Sequence, residues 1–203
     1  MKKVTVPVLL LSVLMISGFM LQAQPEAKQK NVSYDCLNET EQELARQINE
    51  YRAEKGLPAV TLSASLSHVA RVHCLDLEQT SSHSGRCNLH SWSDKGKWSS
   101  CCYTPDHKRA ECMWNKPREL TSYTGDGFEI AYWTDAKFAD AAATARDMLN
   151  GWKGSKPHNE LIINKGIWKD VQWEAMGIGV SGGYATVWFG RETDPAGVPE
   201  MCK

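Results

Sequence analysis

Met176-Gly177-Ile178-Gly179-Val180-Ser181-Gly182-Gly183-Tyr184-Ala185-Thr186-Val187-Trp188-Phe189-Gly190-Arg191 is the stretch that decides the fold. Its apolar period is two: Ile178 and Val180 precede a Gly182-Gly183 turn, and Tyr184, Thr186 and Trp188 follow it. That pattern predicts a β-hairpin, antiparallel because its turn is too short for a crossover. The segments upstream carry mostly helical periodicity. Helices first and clear strands last favour an α+β fold over a parallel α/β sheet.

Working upstream, Asp135 is expected to cap a helix whose apolar stripe is Phe138, Ala142, Ala145, Leu149 and Trp152. The stripe ends in Asn150-Gly151-Trp152-Lys153-Gly154-Ser155-Lys156-Pro157-His158, where glycines close one helical run and Pro157 opens the next turn beneath His158. Further back, Thr40 and Glu43 match a capping box for a helix with Leu44, Ile48 and Tyr51 on one face, stopping at Gly56 and Pro58. A second helix is expected from about Ser65 to Glu78, with Leu66, Val69, Ala70, His73 and Leu77 inward. His73 reads as a core histidine satisfied by a backbone carbonyl or by Asp76.

The N-terminus has Lys2 and Lys3, an apolar run from Val4 to Leu21, and Gln22-Ala23-Gln24. This resembles a secretory signal cleaved after Ala23 more than a membrane anchor, because the run is short, is softened by Pro7 and Gly18, and lacks a basic stop-transfer cluster. Residues 24–35 read as a polar tether and 36–203 as one domain, secreted or periplasmic, with no membrane span in the mature form. Losing residues 1–23 removes two lysines and no acids, moving the net charge from −1 to −3. Without a basic stripe, nucleic acid is not an expected partner.

All seven cysteines lie beyond the leader, and export makes disulfides their expected state. An odd count leaves at least one thiol. Cys101 and Cys102 should take different partners, because a bond between sequence neighbours strains the peptide. Residues 81–127 form a Cys-rich insert with Trp92, Trp98 and Trp114, too long to stay structureless without cross-links or short helical turns.

No glycine-rich phosphate loop, G-x-S-x-G elbow or H-E-x-x-H helix is present. The residues that could carry chemistry are dispersed: His90, Glu129 and His158. Glu129 lies in the apolar run Gly127-Phe128-Glu129-Ile130-Ala131-Tyr132-Trp133, so it must reach solvent or face a positive or metal partner. Two imidazoles and a carboxylate make a plausible zinc set with a position open for water, if they converge.

Several segments together resemble the CAP superfamily, also called the SCP or pathogenesis-related-1 type. They are Ile48-Asn49-Glu50-Tyr51-Arg52 with Gly56-Leu57-Pro58, His73-Cys74-Leu75-Asp76-Leu77, Leu89-His90-Ser91, Gly127 to Ala131, Gly151-Trp152 through His158, and Met176 to Val180. The resemblance spans about residues 38–194 and implies a three-layer α-β-α sandwich around a mostly antiparallel sheet. It implies a cleft with His90 and His158 as its two histidines and Glu129 as one acid, able in some members to hold a divalent ion such as zinc. The second acid's place corresponds to Ser155, as in compact bacterial members, and Glu160 is too close to His158 on a helix to substitute for it. The function so implied is a binding module for a peptide, lipid or glycan. The alternative is a metal-dependent hydrolase using the same cleft, which lacks an evident general base.

Overall fold

The computed structural model describes residues 36–80 and 82–203. The expected leader at 1–23 and tether at 24–35 lie outside the described residues. The first helix, α1 (Glu39–Glu54), is capped by Asn38 rather than Thr40: Asn38 Oδ1 accepts from the Glu41 amide at 3.0 Å and Glu41 Oε2 accepts from the Asn38 amide at 2.8 Å. The capping box is present, but two residues earlier than Thr40 and Glu43 suggest. Glu43 instead pairs with Arg46, and buried Glu41 also receives Arg71 Nη2 at 2.5 Å and the Val180 amide at 3.1 Å. A capping carboxylate thereby ties three elements together.

Helix α2 (Ala64–Gln79) starts at Ser63, whose Oγ accepts from the Leu66 amide. Within the Cys-rich insert the chain forms two short helices, α3 (Glu111–Trp114) and α4 (Lys116–Leu120), then enters β1 (Phe128–Trp133). Helix α5 (Ala141–Gly154) is capped by Asp140, which corrects the expectation of Asp135 and leaves Phe138 outside the helix. Asp140 directly precedes the alanine run, so the cap sits where helix propensity rises. Helix α6 (Lys156–Ile162) follows with Pro157 in its first turn, and after a 3-10 turn at Gly166–Trp168 the chain forms β2 (Ala175–Ser181) and β3 (Tyr184–Gly190).

The hairpin forms as expected, with Ser181 opposite Tyr184 and Ile178 opposite Val187. Gly182 and Gly183 have φ of 55° and 85°, the left-handed pair that a tight hairpin turn requires. Strand β1 pairs antiparallel with β3, giving the order β1-β3-β2 with Glu129 opposite Trp188. Helix α2 lies flat on one face of this sheet. A Cβ on Gly177 would stand 2.0 Å from the Leu66 carbonyl carbon and one on Gly179 2.3 Å from that of Ala70, so bare glycines set the approach. On the other face Leu44 and Ile48 of α1 and Met148, Leu149 and Trp152 of α5 bury Ile130, Ile178 and Val187. The result is an α-β-α sandwich around an antiparallel sheet.

Three disulfides support it: Cys36–Cys202 joins the ends, while Cys87–Cys102 and Cys101–Cys112 order the insert. The adjacent Cys101 and Cys102 do take different partners. Cys74 keeps its thiol, buried against the Gly179 carbonyl, and burial pushes its pKa up to about 12. A thiol so hard to ionise is an inert packing group.

Candidate functional site: a histidine cleft backed by a buried carboxylate

Strand β1 is an edge of the sheet, and Glu129 points from it toward the α2 side, in the row shared with Trp188 and Gly177. Its carboxylate is fully buried and receives two imidazoles, His73 Nδ1 on Oε2 at 2.5 Å and His90 Nδ1 on Oε1 at 2.6 Å. Burial alone would push this carboxyl's pKa up, but the facing His73, and then His90, outweigh it and hold it below the ordinary value. Glu129 is therefore ionised, and both Nδ1 atoms donate to it.

His73 has a second constraint. Its Nε2 lies 3.0 Å from the Ser91 carbonyl oxygen, which only accepts, so Nε2 also carries hydrogen. His73 thus has an acceptor at each ring nitrogen, and its ring stacks on Trp92 at 4.3 Å between ring centres. The carbonyl expected to satisfy His73 is there, but its acid is Glu129 and not Asp76. Asp76 instead accepts from the Ser93 amide at 2.8 Å and from the Ser93 hydroxyl.

His90 stands on a turn fixed by Asn88, whose Oδ1 accepts from the His90 amide at 3.0 Å. With Nδ1 turned to Glu129, His90 Nε2 is left with no hydrogen-bond partner among the described residues. His158, on α6, meets His90 edge-on with ring centres 6.3 Å apart. Burial and then the neighbouring His90 push the His158 pKa down to about 4, so it is neutral at physiological pH. The structure therefore places His90 against Glu129 and His158 beside His90, from three distant parts of the chain.

These groups form one end of a cleft of about 440 Å³. Its walls are apolar: Met113 and Trp114 from the insert, Phe128 and Ile130 from β1, Leu161 from α6, and Ile167 and Trp168 beyond it. Phe128 packs against Trp168 at 5.1 Å and Trp114 at 5.5 Å, which makes that wall rigid. The insert adds Tyr103 and His107, which sequence reasoning missed. Tyr103 Oη and His107 Nδ1 are 2.9 Å apart, and His107 adopts φ of 56°, uncommon for a residue with a side chain. The disulfides, the Trp92–Cys101 bridge and the hydrogen bonds of the Tyr103 backbone to Asn88 and Ser91 hold this segment at the cleft, and no periodicity marks it.

Ser155 does not line the cleft: it turns the chain between α5 and α6, and its side chain caps neither helix. Glu160 pairs with Lys156 at 2.7 Å. Of the expected zinc set, Glu129 faces His90 Nδ1 with one oxygen and His73 Nδ1 with the other, and His158 lies beside His90. Among the described residues no group of three or more His, Cys, Asp or Glu side chains is arranged to hold a metal ion.

The model of the CAP group, the cysteine-rich secretory protein family, matches residues 45–186, most of the domain just described. The chain belongs to the CAP family. Its fold is also similar to two solved bacterial structures. One is a cysteine-rich secretory protein from Staphylococcus aureus subsp. aureus Mu50, 16% identical, with a TM-score of 0.46 over 75% of this chain and 39% of that one. The other is an extracellular protein containing an SCP domain from Bacillus anthracis str. Ames, 17% identical, with a TM-score of 0.48 over 75% of this chain and 40% of that one. The chain thus spans about two-fifths of the length of each. No curated protein matches it. Within this CAP domain no helix among the described residues is long and apolar enough to cross a membrane.

Proposed function

We propose that this CAP domain is a secreted binding module whose cleft takes the apolar chain of a lipid or of a peptide side chain, with His90 and His158 meeting the ligand's polar end. The observation that carries this reading is the wall itself. Eight apolar residues, Pro157 among them, line a cleft whose polar groups are three imidazoles, Tyr103 and the buried Glu129, so the gain on binding comes chiefly from apolar surface leaving water, about 25 cal/mol per Å². A glycan would leave its hydroxyls without partners along such a wall.

His90 Nε2 accepts a hydrogen bond from a ligand hydroxyl or amide, because Glu129 holds its proton on Nδ1. A divalent ion such as zinc would find His90 Nε2 and His158 as its protein donors, with Glu129 behind His90 fixing the ring. The other ligands would have to be water or the bound molecule. The hydrolase reading has less support, since that donor set is one short of the usual catalytic three.

The test titrates the purified protein with a long-chain fatty acid while following tryptophan fluorescence, alongside metal analysis and an esterase and peptidase screen. Saturable binding by metal-free, inactive protein is the expected result. Turnover that requires both a loaded metal and His90 would overturn it. Export through a leader cleaved after Ala23 is part of the same proposal, supported by the three disulfides. N-terminal sequencing of exported protein should start at Gln24, and a mature chain that retains the leader would contradict it.

A further inference from the structure

A second cavity, of about 410 Å³, shares no lining residue with the histidine cleft. Its floor is Arg52, at the C-terminal end of α1, which is 1% exposed. Arg52 Nε donates to the Pro58 carbonyl at 3.1 Å, and one terminal nitrogen donates to the Ile162 carbonyl at 2.5 Å and to Asn164 Oδ1 at 2.7 Å. All three acceptors are neutral. The other terminal nitrogen has no acceptor among the described residues, and no carboxylate there lies within ion-pair distance of the guanidinium.

A guanidinium this deeply buried is costly unless a counter-charge reaches it. Asn164 shows how firmly it is held: its backbone has φ of 48°, and its side chain also donates to the Val171 carbonyl at 2.8 Å, bracing the segment that forms the cavity's far wall. Lys169 adds a second cation at the rim, its ammonium 3.9 Å from Asp170 with both side chains exposed. Glu174 is the one carboxylate lining the cavity, and it already accepts from Gln172 at 2.5 Å. The lining carries one positive charge in excess, beside apolar Leu57, Pro58 and Val171.

We infer that this cavity is an anion site in which Arg52 and Lys169 bind a carboxylate attached to a small apolar body, either a free acid or the C-terminus of a peptide. The unused donors of Arg52 supply the hydrogen bonds, and Leu57, Pro58 and Val171 contact the body. The site is separate from the cleft proposal and stands without it.

The experiment follows the Arg52 Nε and Trp173 Nε1 resonances of the whole protein by ¹⁵N NMR. The titrants are acetate, an N-acetylated dipeptide acid, its C-terminal amide, and chloride at matched ionic strength. Saturable shifts with acetate or the peptide acid, and none with amide or chloride, are expected. Tighter binding of the peptide acid than of acetate assigns the site to a peptide C-terminus, and equal binding assigns it to free carboxylates. Lys169→Glu, a change at an exposed position, should weaken binding about three- to tenfold with the fold intact by circular dichroism. No saturable shift from either acid up to tens of millimolar, the same shift from chloride, or undiminished binding by Lys169→Glu overturns the inference.

Discussion

His73 and Glu129, 56 residues apart in sequence, meet in a wholly buried contact at 2.5 Å, and that contact anchors the carboxylate behind the cleft. One carboxylate oxygen faces His73 Nδ1 in the core, while the other faces His90 Nδ1 at 2.6 Å. The cleft consequently presents His90 Nε2 and the neutral ring of His158, with Tyr103 and His107 beside them.

Removing the carboxylate should expose this dependence. Glu129→Ala leaves His73 Nδ1 and His90 Nδ1 without their acceptor, a loss of about 1–3 kcal/mol. Glu129→Gln keeps the volume and one acceptor, so it should lose less. Urea unfolding of the two variants checks the order.

Acid should destabilise the fold in two windows. His158 has a folded pKa pushed down to about 4 from 6.5, so the unfolded chain binds its proton first and stability falls as pH drops from about 6.5 toward 4. Glu129 has a folded pKa held below 4.5, so its contribution is present above that value and is lost as pH falls through the lowered one. Denaturation midpoints against pH should fall throughout both windows, and His158→Gln should remove the upper one. A flat profile between pH 6.5 and 4 in the wild type would show that His158 titrates normally.

The glycine face of β2 gives a packing prediction. Gly177→Ala and Gly179→Ala drive a Cβ into α2 backbone that cannot yield locally, a cost of about 1–3 kcal/mol or more. Gly154→Ala has open space around it on α5 and should be neutral or stabilising by up to about 1 kcal/mol. Thermal unfolding of the three variants distinguishes them.

Cross-links should matter to the cleft more than to the sheet. Opening Cys87–Cys102 by a double serine substitution frees a 15-residue separation, worth about 3 kcal/mol of chain entropy. Tyr103 follows Cys102 directly, so the insert side of the cleft should loosen first. Limited proteolysis is expected to cut within 88–110 while the hairpin stays protected from hydrogen exchange.

The hairpin was legible because its period of two and its Gly182-Gly183 turn are local signals, and family resemblance pointed to His90, Glu129 and His158. Helix starts were legible only to within a few residues: Asn38 displaces Thr40 and Asp140 displaces Asp135, since several residues in each stretch could cap and tertiary contacts choose among them. Sequence placed His73 inward but could not name its acid, because strand–helix juxtaposition and not spacing brings Glu129 to it. Tyr103 and His107 carried no signal at all. Disulfide connectivity and long-range hydrogen bonds to Asn88 and Ser91 set their position, and spacing alone gives neither.

The central claim, that the cleft binds an apolar chain, is tested most directly by a crystal structure of the protein with a terminally brominated long-chain alcohol. The alcohol lacks the carboxylate that the Arg52 cavity would attract. The account predicts anomalous bromine density between Phe128, Leu161 and Trp168, and its loss in Ile167→Asp, a substitution at the exposed mouth of the cleft. Bromine found only elsewhere, or unchanged in Ile167→Asp, would contradict it.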